Sequence, residues 1–228
     1  MLWYKFDETS GNSAADSSGN GRTGTLAKIG SGDAAFSTTH QVGTGSLRLT
    51  GTSATDGGYV VIPASLSDMG ATTQVTFACW VRVSTLGNWS RVFDFGFGRD
   101  AGYVFLAVDQ DQTTPDAPRF GISKVSYDDQ QSIDMALPTP LSTGAWHHFA
   151  VVLAAGATYT GTLYLDGSAV GSNSAMTLRP SDLATTTNNW LGRSQFAEDL
   201  MYDGQLDDFR IYKRALTSAE ITTLYQLR

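Results

Sequence analysis

The sequence Gly204-Gln-Leu-Asp-Asp-Phe-Arg-Ile-Tyr212, close to the end of the chain, decides the fold. In a regular strand, Asp207 shares one face with Phe209 and Ile211, and both faces carry apolar residues. A carboxylate on an apolar face is costly unless it is paired, protonated or bound to a cation. We therefore predict a strand that is covered on both sides and in which Asp207 is engaged by a partner.

The segment that follows this strand has the start signal of a helix. Thr217 is positioned to cap the chain, and Glu220 three residues later completes a capping box. The apolar residues Ile221, Leu224 and Leu227 come next at helical spacing. The sequence predicts one short helix over 217–227 that packs its apolar side onto the strands.

The composition favours strands over the rest of the chain. The chain has 228 residues, of which 24 are glycines and only 16% are charged. Hydrophobic residues make up 41% of the chain, which is enough for a sizeable core. Apolar or alternating runs bounded by turn residues predict strands at 2–6, 46–49, 59–62, 74–83, 91–95, 103–108, 119–123, 146–153, 162–165 and 168–170. Segments 109–118 and 172–189 predict long surface loops.

We predict an all-β fold from this pattern. The architecture is a two-sheet antiparallel β-sandwich of the jelly-roll type with one short C-terminal helix. The sequence has no internal repeat, linker or shift in composition, so we expect a single domain over residues 1–228. Cys79 alternates in register with Val75, Phe77 and Val81, and we interpret it as a core residue.

The charge of the chain excludes some classes of partner. A net charge of −7 repels phosphate backbones and anionic lipid surfaces, so we expect no nucleic acid partner. The sequence contains no run of 18 apolar residues, so we expect no membrane insertion. Met1 is followed at once by a strand pattern without a secretion signal, which leaves a cytosolic protein or a module of a longer secreted chain.

A set of short segments occurs in one order along nearly the whole chain. They are Trp3-Tyr-Lys-Phe-Asp-Glu8 with Asp16-Ser-Ser-Gly19, Val75-Thr-Phe-Ala-Cys-Trp-Val81, Trp146-His-His-Phe-Ala150, Tyr164-Leu-Asp-Gly167, and Leu206-Asp-Asp-Phe-Arg-Ile-Tyr212 with Arg214-Ala-Leu216. Together they resemble the laminin-G-like jelly-roll domains of the concanavalin A-like lectin/glucanase superfamily. The resemblance implies a concanavalin A-like sandwich, an extracellular setting within a larger, often glycan-processing protein, and frequently a structural calcium. It implies no single ligand, because this fold hosts enzymes, lectins and adhesion modules alike.

A calcium ion needs six to eight oxygen ligands. Asp16, Asn20 and main-chain carbonyls of their turn could supply them together with Asp207, if the first and last segments are neighbours, as the resemblance implies. The alternative is that Asp16 caps its own turn and that Asp207 accepts backbone N–H bonds. Asp7 and Asp208 are weaker candidates. We expect one structural Ca²⁺.

Hydrolytic chemistry has little support in the sequence. A retaining glycosidase needs two carboxylates about 5–5.5 Å apart. In the related glucanases, the resemblance implies two acids close together along one strand, commonly both Glu, and this chain has no such strand. Asp109 and Asp111 have a suitable spacing but lie in a proline-containing loop. His147 and His148 face opposite ways in a strand and cannot share a metal, while a Ser-His-Asp triad stays open from spacing alone.

A sugar site needs an aromatic platform beside planar polar groups, because a sugar presents an apolar C–H face and a rim of hydroxyls. Candidates beside turn residues are Trp89, Arg91, Tyr103, Tyr127 and Arg193. The alternative is that some of these aromatic residues fill the sandwich, an interpretation we accept for Trp80 and Trp146.

We predict a non-catalytic, lectin-like carbohydrate-binding module that binds an oligo- or polysaccharide. We expect it to be extracellular and appended to a larger glycan-processing protein, whose other domains are possible partners. The second hypothesis is a protein-interaction or adhesion module on the same fold, and the third is a glycoside hydrolase.

Overall fold

Sixteen strands and one α-helix occur in a computed structural model that describes residues 2–63, 73–110, 117–135, 141–156, 159–183 and 185–227. The strands are β1 (Leu2–Tyr4), β2 (Ser13–Ala14), β3 (Gly24–Ile29), β4 (Asp33–Ser37), β5 (Ser46–Ser53), β6 (Asp56–Val61), β7 (Val75–Thr85), β8 (Arg91–Gly96), β9 (Tyr103–Ala107), β10 (Arg119–Ser123), β11 (Gln131–Asp134), β12 (His147–Ala154), β13 (Tyr159–Leu165), β14 (Ser168–Met176), β15 (Asn188–Leu191) and β16 (Asp203–Tyr212). The helix α1 is Ser218–Tyr225.

The strands form two antiparallel sheets that β5 joins. The first sheet has the order β14-β13-β12-β7-β16-β5-β4, with β1 paired to the end of β16. The second sheet has the order β11-β10-β9-β8-β15-β6-β3-β2. Strand β5 pairs with β16 through Leu47–Leu49 and with β6 from Gly51 onward, so it passes from one sheet to the other. The predicted two-sheet antiparallel sandwich is confirmed.

Aromatic side chains from both sheets fill the space between them. Phe77 of β7 stacks on Phe93 of β8 with ring centroids 4.6 Å apart, and Phe209 of β16 meets Phe93 at 6.0 Å. These rings are at most 1% exposed, and burying each stabilises the fold by about 1.5–3 kcal/mol. Cys79 is also buried and unpaired with any cysteine, as predicted.

The predicted helix covers the outer face of the first sheet. Ala78 and Val152 of that sheet pack against Ile221 and Leu224 of α1. The capping box is present: Glu220 N–H donates to Thr217 Oγ1 at 3.3 Å, and Thr217 N–H donates to Glu220 Oε2 at 2.9 Å. The helix is shorter than predicted and ends at Tyr225. Within the described ranges, no helix has the length and apolar content needed to span a bilayer.

The prediction that Asp207 shares a face with Phe209 and Ile211 is wrong. The register of β16 against β7 shifts between Asp207 and Arg210, where Asp208 takes a φ of +52°. This bulge inserts one residue, so Phe209 and Ile211 point into the core while Asp207 lies opposite Trp80 on the outer side.

Five strands were not predicted, namely β2, β3, β4, β11 and β15, and the predicted loop at 172–189 is wrong in part. Strand β14 continues to Met176, and β15 begins at Asn188. Because β14 ends the first sheet and is largely exposed, its residues carry no apolar alternation. Most of the predicted loop at 109–118, Asp111 included, lies outside the described residues.

Candidate functional site

The outer face of the second sheet carries an aromatic cluster separate from the sandwich core. Tyr103, Phe105 and Ala107 of β9 are buried there, while the alternate residues Val104 and Leu106 belong to the core. Trp89 and Phe196 pack onto this cluster from loops. Above it opens a cavity of about 410 Å³, here named the Trp89 cavity, which is lined by Trp89, Arg91, Arg99, Phe105, Tyr127, Gln130, Phe196, Glu198 and Asp199.

A tight turn before β8 presents the Trp89 ring. Ser90 N–H donates to the Gly87 carbonyl at 3.0 Å, and Trp89 takes a φ of +57°. This left-handed conformation costs roughly 1–2 kcal/mol for a residue with a Cβ. The indole meets Phe105 edge-on at 6.4 Å between centroids. Strain of this kind concentrates at functional sites, which makes the turn a candidate binding element.

A second turn displays Tyr127 at the cavity. Ser126 caps the turn Tyr127–Asp129, and Asp129 accepts the backbone N–H groups of Ser126 and Lys124 at 3.0 and 3.1 Å. The Tyr127 residue is 62% exposed. The adjacent Gln130 accepts a hydrogen bond from the buried Tyr103 hydroxyl at 3.0 Å, which fixes its amide beside the cavity.

Arg91 forms the floor of the cavity. Its Nη2 donates to Asp199 Oδ2 at 2.8 Å, its Nε donates to Asp94 Oδ2 at 3.4 Å, and its guanidinium lies 3.9 Å from the Phe105 ring centre. The side chain is 3% exposed. The remaining nitrogen, Nη1, is buried and has no hydrogen-bond partner among the described residues. A buried donor without a partner costs about 1–3 kcal/mol.

The acids of the site are already engaged. Burial raises the pKa of Asp94 to about 7 despite the Arg91 charge, and it also raises the pKa of Asp199. Ser194 Oγ–H donates to Asp199 Oδ2 at 2.7 Å. On the rim, Glu198 pairs with Arg99 at 2.8 Å. Asp94 and Asp199 are thus each bonded to Arg91, and Glu198 is bonded to Arg99.

A smaller cavity adjoins the first along the loop after β15. Its volume is about 190 Å³, and we name it the Trp190 cavity after the ring that lines it beside Arg193. The Arg193 guanidinium lies 4.4 Å from the Trp190 ring centre and 4.8 Å from that of Tyr59. Phe196 and Asp199 line both cavities.

The structure brings three of the five predicted sugar-binding residues together, namely Trp89, Arg91 and Tyr127. Tyr103 is fully buried beneath them, and Arg193 lies at the Trp190 cavity. The sequence did not reveal the remaining lining residues Arg99, Phe105, Gln130, Phe196, Glu198 and Asp199. The aromatic and charged run 196–199 was a weak signal, but no local pattern links Arg91 to Asp199, which lies 108 positions away.

The structure does not bring the predicted calcium ligands Asp16 and Asp207 together. Asp16 accepts the N–H groups of Trp3, Ser18 and Arg22 at 3.0–3.1 Å. Burial raises the pKa of Asp16, but these bonds outweigh it and lower the pKa overall. Strand β1 lies between the Asp16 turn and β16, which separates their backbones by roughly 10 Å. Asn20 donates its side-chain N–H to Ser18 Oγ at 2.9 Å.

Asp207 alone retains a property that fits a cation. Its Oδ2 accepts the N–H groups of Gln41 and Val42 at 2.8 Å, whereas Oδ1 is buried without a partner among the described residues. Burial, with the charges of Asp208 and Asp7, raises its pKa to about 6. Across the described part of the chain, no three His, Cys, Asp or Glu side chains form a metal-binding group. A calcium here would therefore need further oxygens from main-chain carbonyls or neutral side chains.

His147 and His148 lie on opposite sides of β12, as predicted. His147 Nε2 lies 2.8 Å from Ser142 Oγ, and its Nδ1 lies 2.9 Å from Asp166 Oδ2. Asp166 also accepts His148 N–H at 2.8 Å, which ties the β13–β14 hairpin to β12. Ser142, His147 and Asp166 are bonded in the order of a Ser-His-Asp triad. His147 belongs to β12, Ser142 and Asp166 lie outside the strands, and none of the three lines the Trp89 cavity or the Trp190 cavity.

Solved structures of similar fold include domains from two kinds of protein. Domain 4 of AbnA, a GH43 extracellular arabinanase from Geobacillus stearothermophilus solved in complex with arabinotriose, matches with a TM-score of 0.74, 20% identity, and coverage of 99% of this chain and 97% of that one. The binding domain of botulinum neurotoxin DC in complex with rat synaptotagmin II matches with a TM-score of 0.67 and 13% identity. This chain spans about half of the toxin domain. At these identities the likeness shows the fold alone.

Sequence comparison shows the family. No match was found among curated proteins. A laminin G domain model for the concanavalin A-like lectin/glucanases superfamily matches residues 53–222. The matched range covers most of the chain and contains every residue that lines the Trp89 cavity. The chain therefore belongs to the concanavalin A-like lectin/glucanase superfamily.

Proposed function

We propose that this chain is a non-catalytic carbohydrate-binding module whose ligand, an oligo- or polysaccharide, lies in the Trp89 cavity. One observation carries the proposal: the cavity combines aromatic walls with polar side chains that are held in place, namely Arg91 by two acids and Gln130 by Tyr103. The apolar face of a sugar ring stacks on Trp89 or Tyr127, while its hydroxyls bond polar groups of the lining such as Gln130 and Arg99.

The rigidity of the site supports this proposal. The ion pairs fix the Arg91 guanidinium, and Tyr103 fixes Gln130. Groups held in place before binding lose little conformational entropy when a ligand arrives. The cavity volume of about 410 Å³ is within the range of small-molecule sites.

A protein-interaction or adhesion module is the second candidate, since a toxin domain of similar fold was solved with synaptotagmin II. Specific protein interfaces bury about 800 Å² on each partner and have an apolar core. Among the described residues, the large hydrophobic side chains that are exposed are Val125 and Tyr127. This small apolar surface favours a sugar over a protein as the ligand.

The proposal extends to the setting of the module. We infer an extracellular module appended to a larger glycan-processing protein. The support is that the chain corresponds in length and fold to one domain of an extracellular arabinanase. The test is to express the parent gene in its host and detect the chain in the medium or at the cell surface; retention in the cytosol contradicts this part.

A calcium ion bound through Asp207 Oδ1 is also part of the proposal. When bound, the ion would neutralise a buried carboxylate oxygen that has no partner among the described residues. A metal present at about 100 times its dissociation constant adds roughly 2.7 kcal/mol of stability. We expect added calcium to raise the Tm of chelator-treated protein, and Asp207→Asn to remove that rise. Asp16→Asn serves as the matched control and should keep it; no response of the native protein removes the ion from the proposal.

The sugar-binding function is tested by binding measurements. We expect the native protein to bind at least one member of a panel of arabinan, xylan, β-glucan and ganglioside-type oligosaccharides in isothermal titration. Trp89→Ala should lower that affinity at least about tenfold, equivalent to about 1.4 kcal/mol. Val125→Ala, an exposed apolar neighbour that does not line the cavity, is the control and should bind normally. If Trp89→Ala also binds normally, the ligand lies elsewhere.

A further inference from the structure

The Trp190 cavity lies on the same outer face as the Trp89 cavity. Across three adjacent strands, Phe105 of β9 pairs with Asp94 of β8, and Asp94 pairs with Trp190 of β15. Residues in register across antiparallel strands point to the same side, so Phe105 and Trp190 share the outer face. Two strand spacings separate their backbones by roughly 10 Å.

The two cavities share a wall. The loop that begins after Gly192 passes over this face, and its residues Phe196 and Asp199 line both cavities. The loop is anchored from below, because Gln195 N–H donates to Asp94 Oδ2 at 3.0 Å and Asp199 is held by Arg91. A ligand that is bound in the Trp89 cavity and extends beyond it along this loop therefore reaches the Trp190 ring.

The arginine of the second cavity differs from that of the first. Arg193 is held between the Trp190 and Tyr59 rings, and within the described residues it makes no hydrogen bond or ion pair with an acid. Its guanidinium is thus oriented by aromatic contacts while its N–H groups remain available. An oriented guanidinium beside an aromatic ring matches the paired hydroxyls and apolar face of a sugar unit.

We infer that the Trp190 cavity is a second sugar subsite and that the module binds a chain of several consecutive sugar units rather than a single sugar. The inference rests on the proposed carbohydrate-binding function. The ligand class it names is a linear oligo- or polysaccharide that runs from the Trp89 cavity, along the wall formed by Phe196, to the platform of Trp190 and Arg193.

The experiment is a chain-length series. Linear arabino-, xylo- and gluco-oligosaccharides of two to six units are titrated into the native protein, Trp190→Ala, Arg193→Ala and Trp89→Ala. We expect the affinity of the series that binds to rise with length and then level off. Trp190→Ala and Arg193→Ala should remove at least about tenfold of that rise while leaving the affinity for the shortest binder within about twofold. Trp89→Ala should weaken every length.

The outcomes separate the two proposals. If a short sugar binds and Trp89→Ala abolishes it, but affinity does not rise with length or Trp190→Ala leaves the rise intact, the second subsite is overturned and the binding function stands. If none of the linear series binds to the native protein, the second subsite is overturned, and if no member of the wider oligosaccharide panel binds either, the binding function is overturned as well. Because Trp190 is partly exposed on the sheet surface, circular dichroism and Tm measurements establish that Trp190→Ala remains folded. Trp190→Phe keeps an aromatic ring and should retain part of the rise in affinity with oligosaccharide length. An unfolded variant would lose that rise completely.

Discussion

The two outer faces of the sandwich differ in what covers them. On the first sheet, Ala78 and Val152 lie under the apolar side of α1, and Ile221 is fully buried. On the second sheet, an equally buried aromatic cluster lies under Trp89 and Phe196, with ion pairs and an open cavity around them. An apolar cover from the chain itself makes the first face structural. A cover of rings and charges leaves the second face able to receive a ligand.

Among substitutions on the two faces, we expect Arg91→Ala to lower the free energy of unfolding most. Removing one partner of a buried ion pair costs about 3–5 kcal/mol, because the remaining charges are left buried and unpaired. Arg91→Ala should therefore lower the free energy of unfolding by this amount, measured by urea denaturation. Arg99→Ala is the control, since its pair with Glu198 is half exposed and should contribute about 0–1 kcal/mol. Equal losses in both variants would contradict the view that charges hold the binding face together.

On the first sheet, which the helix covers, substitutions should change stability through the loss of apolar packing. Ile221→Ala deletes buried methyl groups and should cost about 2–5 kcal/mol without changing sugar affinity in the folded protein. Thr223→Ala, an exposed position on the same helix, is the control and should have a small effect. A loss of affinity in Ile221→Ala at a temperature where it is folded would show that the helix contributes to the site.

Asp94, which lies under the cavity on the second sheet, should make the stability of the protein depend on pH. Its pKa is raised by burial to about 7 in the folded protein, above the ordinary value of about 3.9 in the unfolded chain. The folded state thus binds more protons between pH 4 and 7, and stability falls as pH rises through this window. The fall is a few kcal/mol at most, since one pKa unit corresponds to about 1.4 kcal/mol.

Thermal melts of the native protein and Asp94→Asn between pH 4.5 and 7.5 measure this contribution. The native protein should lose more stability than the variant as the pH rises. Asp207, whose pKa burial raises to about 6, changes in the same direction in both proteins and cancels in the comparison. Asp166 has a lowered pKa, so its contribution is lost on acidification below about pH 4, outside this window. Parallel curves for the two proteins would show that Asp94 is ionised throughout.

The smallest expected difference in stability comes from the strained backbone conformation at Trp89. Glycine adopts a φ of +57° freely, whereas alanine does not. Trp89→Gly should therefore be more stable than Trp89→Ala by about 1 kcal/mol, while both lose sugar binding because both lack the ring. Urea denaturation of the two variants measures the difference. If Trp89→Ala is the more stable variant, the turn is not strained by its conformation.

The sequence predicted the sandwich and the helix cap because both depend on local patterns. Alternation in β7 and β12 and the Thr217–Glu220 spacing each lie within a few residues. The bulge at Asp208 was missed, since the inserted residue arises from pairing with β7 rather than from the pattern of β16. The site was predicted in part: turn residues marked Trp89 and Tyr127, whereas Phe196 and Asp199 join them only through the fold.

The most direct test of the central claim is a sugar titration followed by the indole N–H signals of the five tryptophans in NMR spectra, assigned with single Trp→Phe variants. Trp89 lies on the open face, whereas Trp80 lies in contact with Tyr225 of the helix on the covered face. We predict that the Trp89 signal shifts in proportion to saturation and that the Trp80 signal does not move. A shift of the Trp80 signal with Trp89 unchanged would contradict the assignment of the binding face.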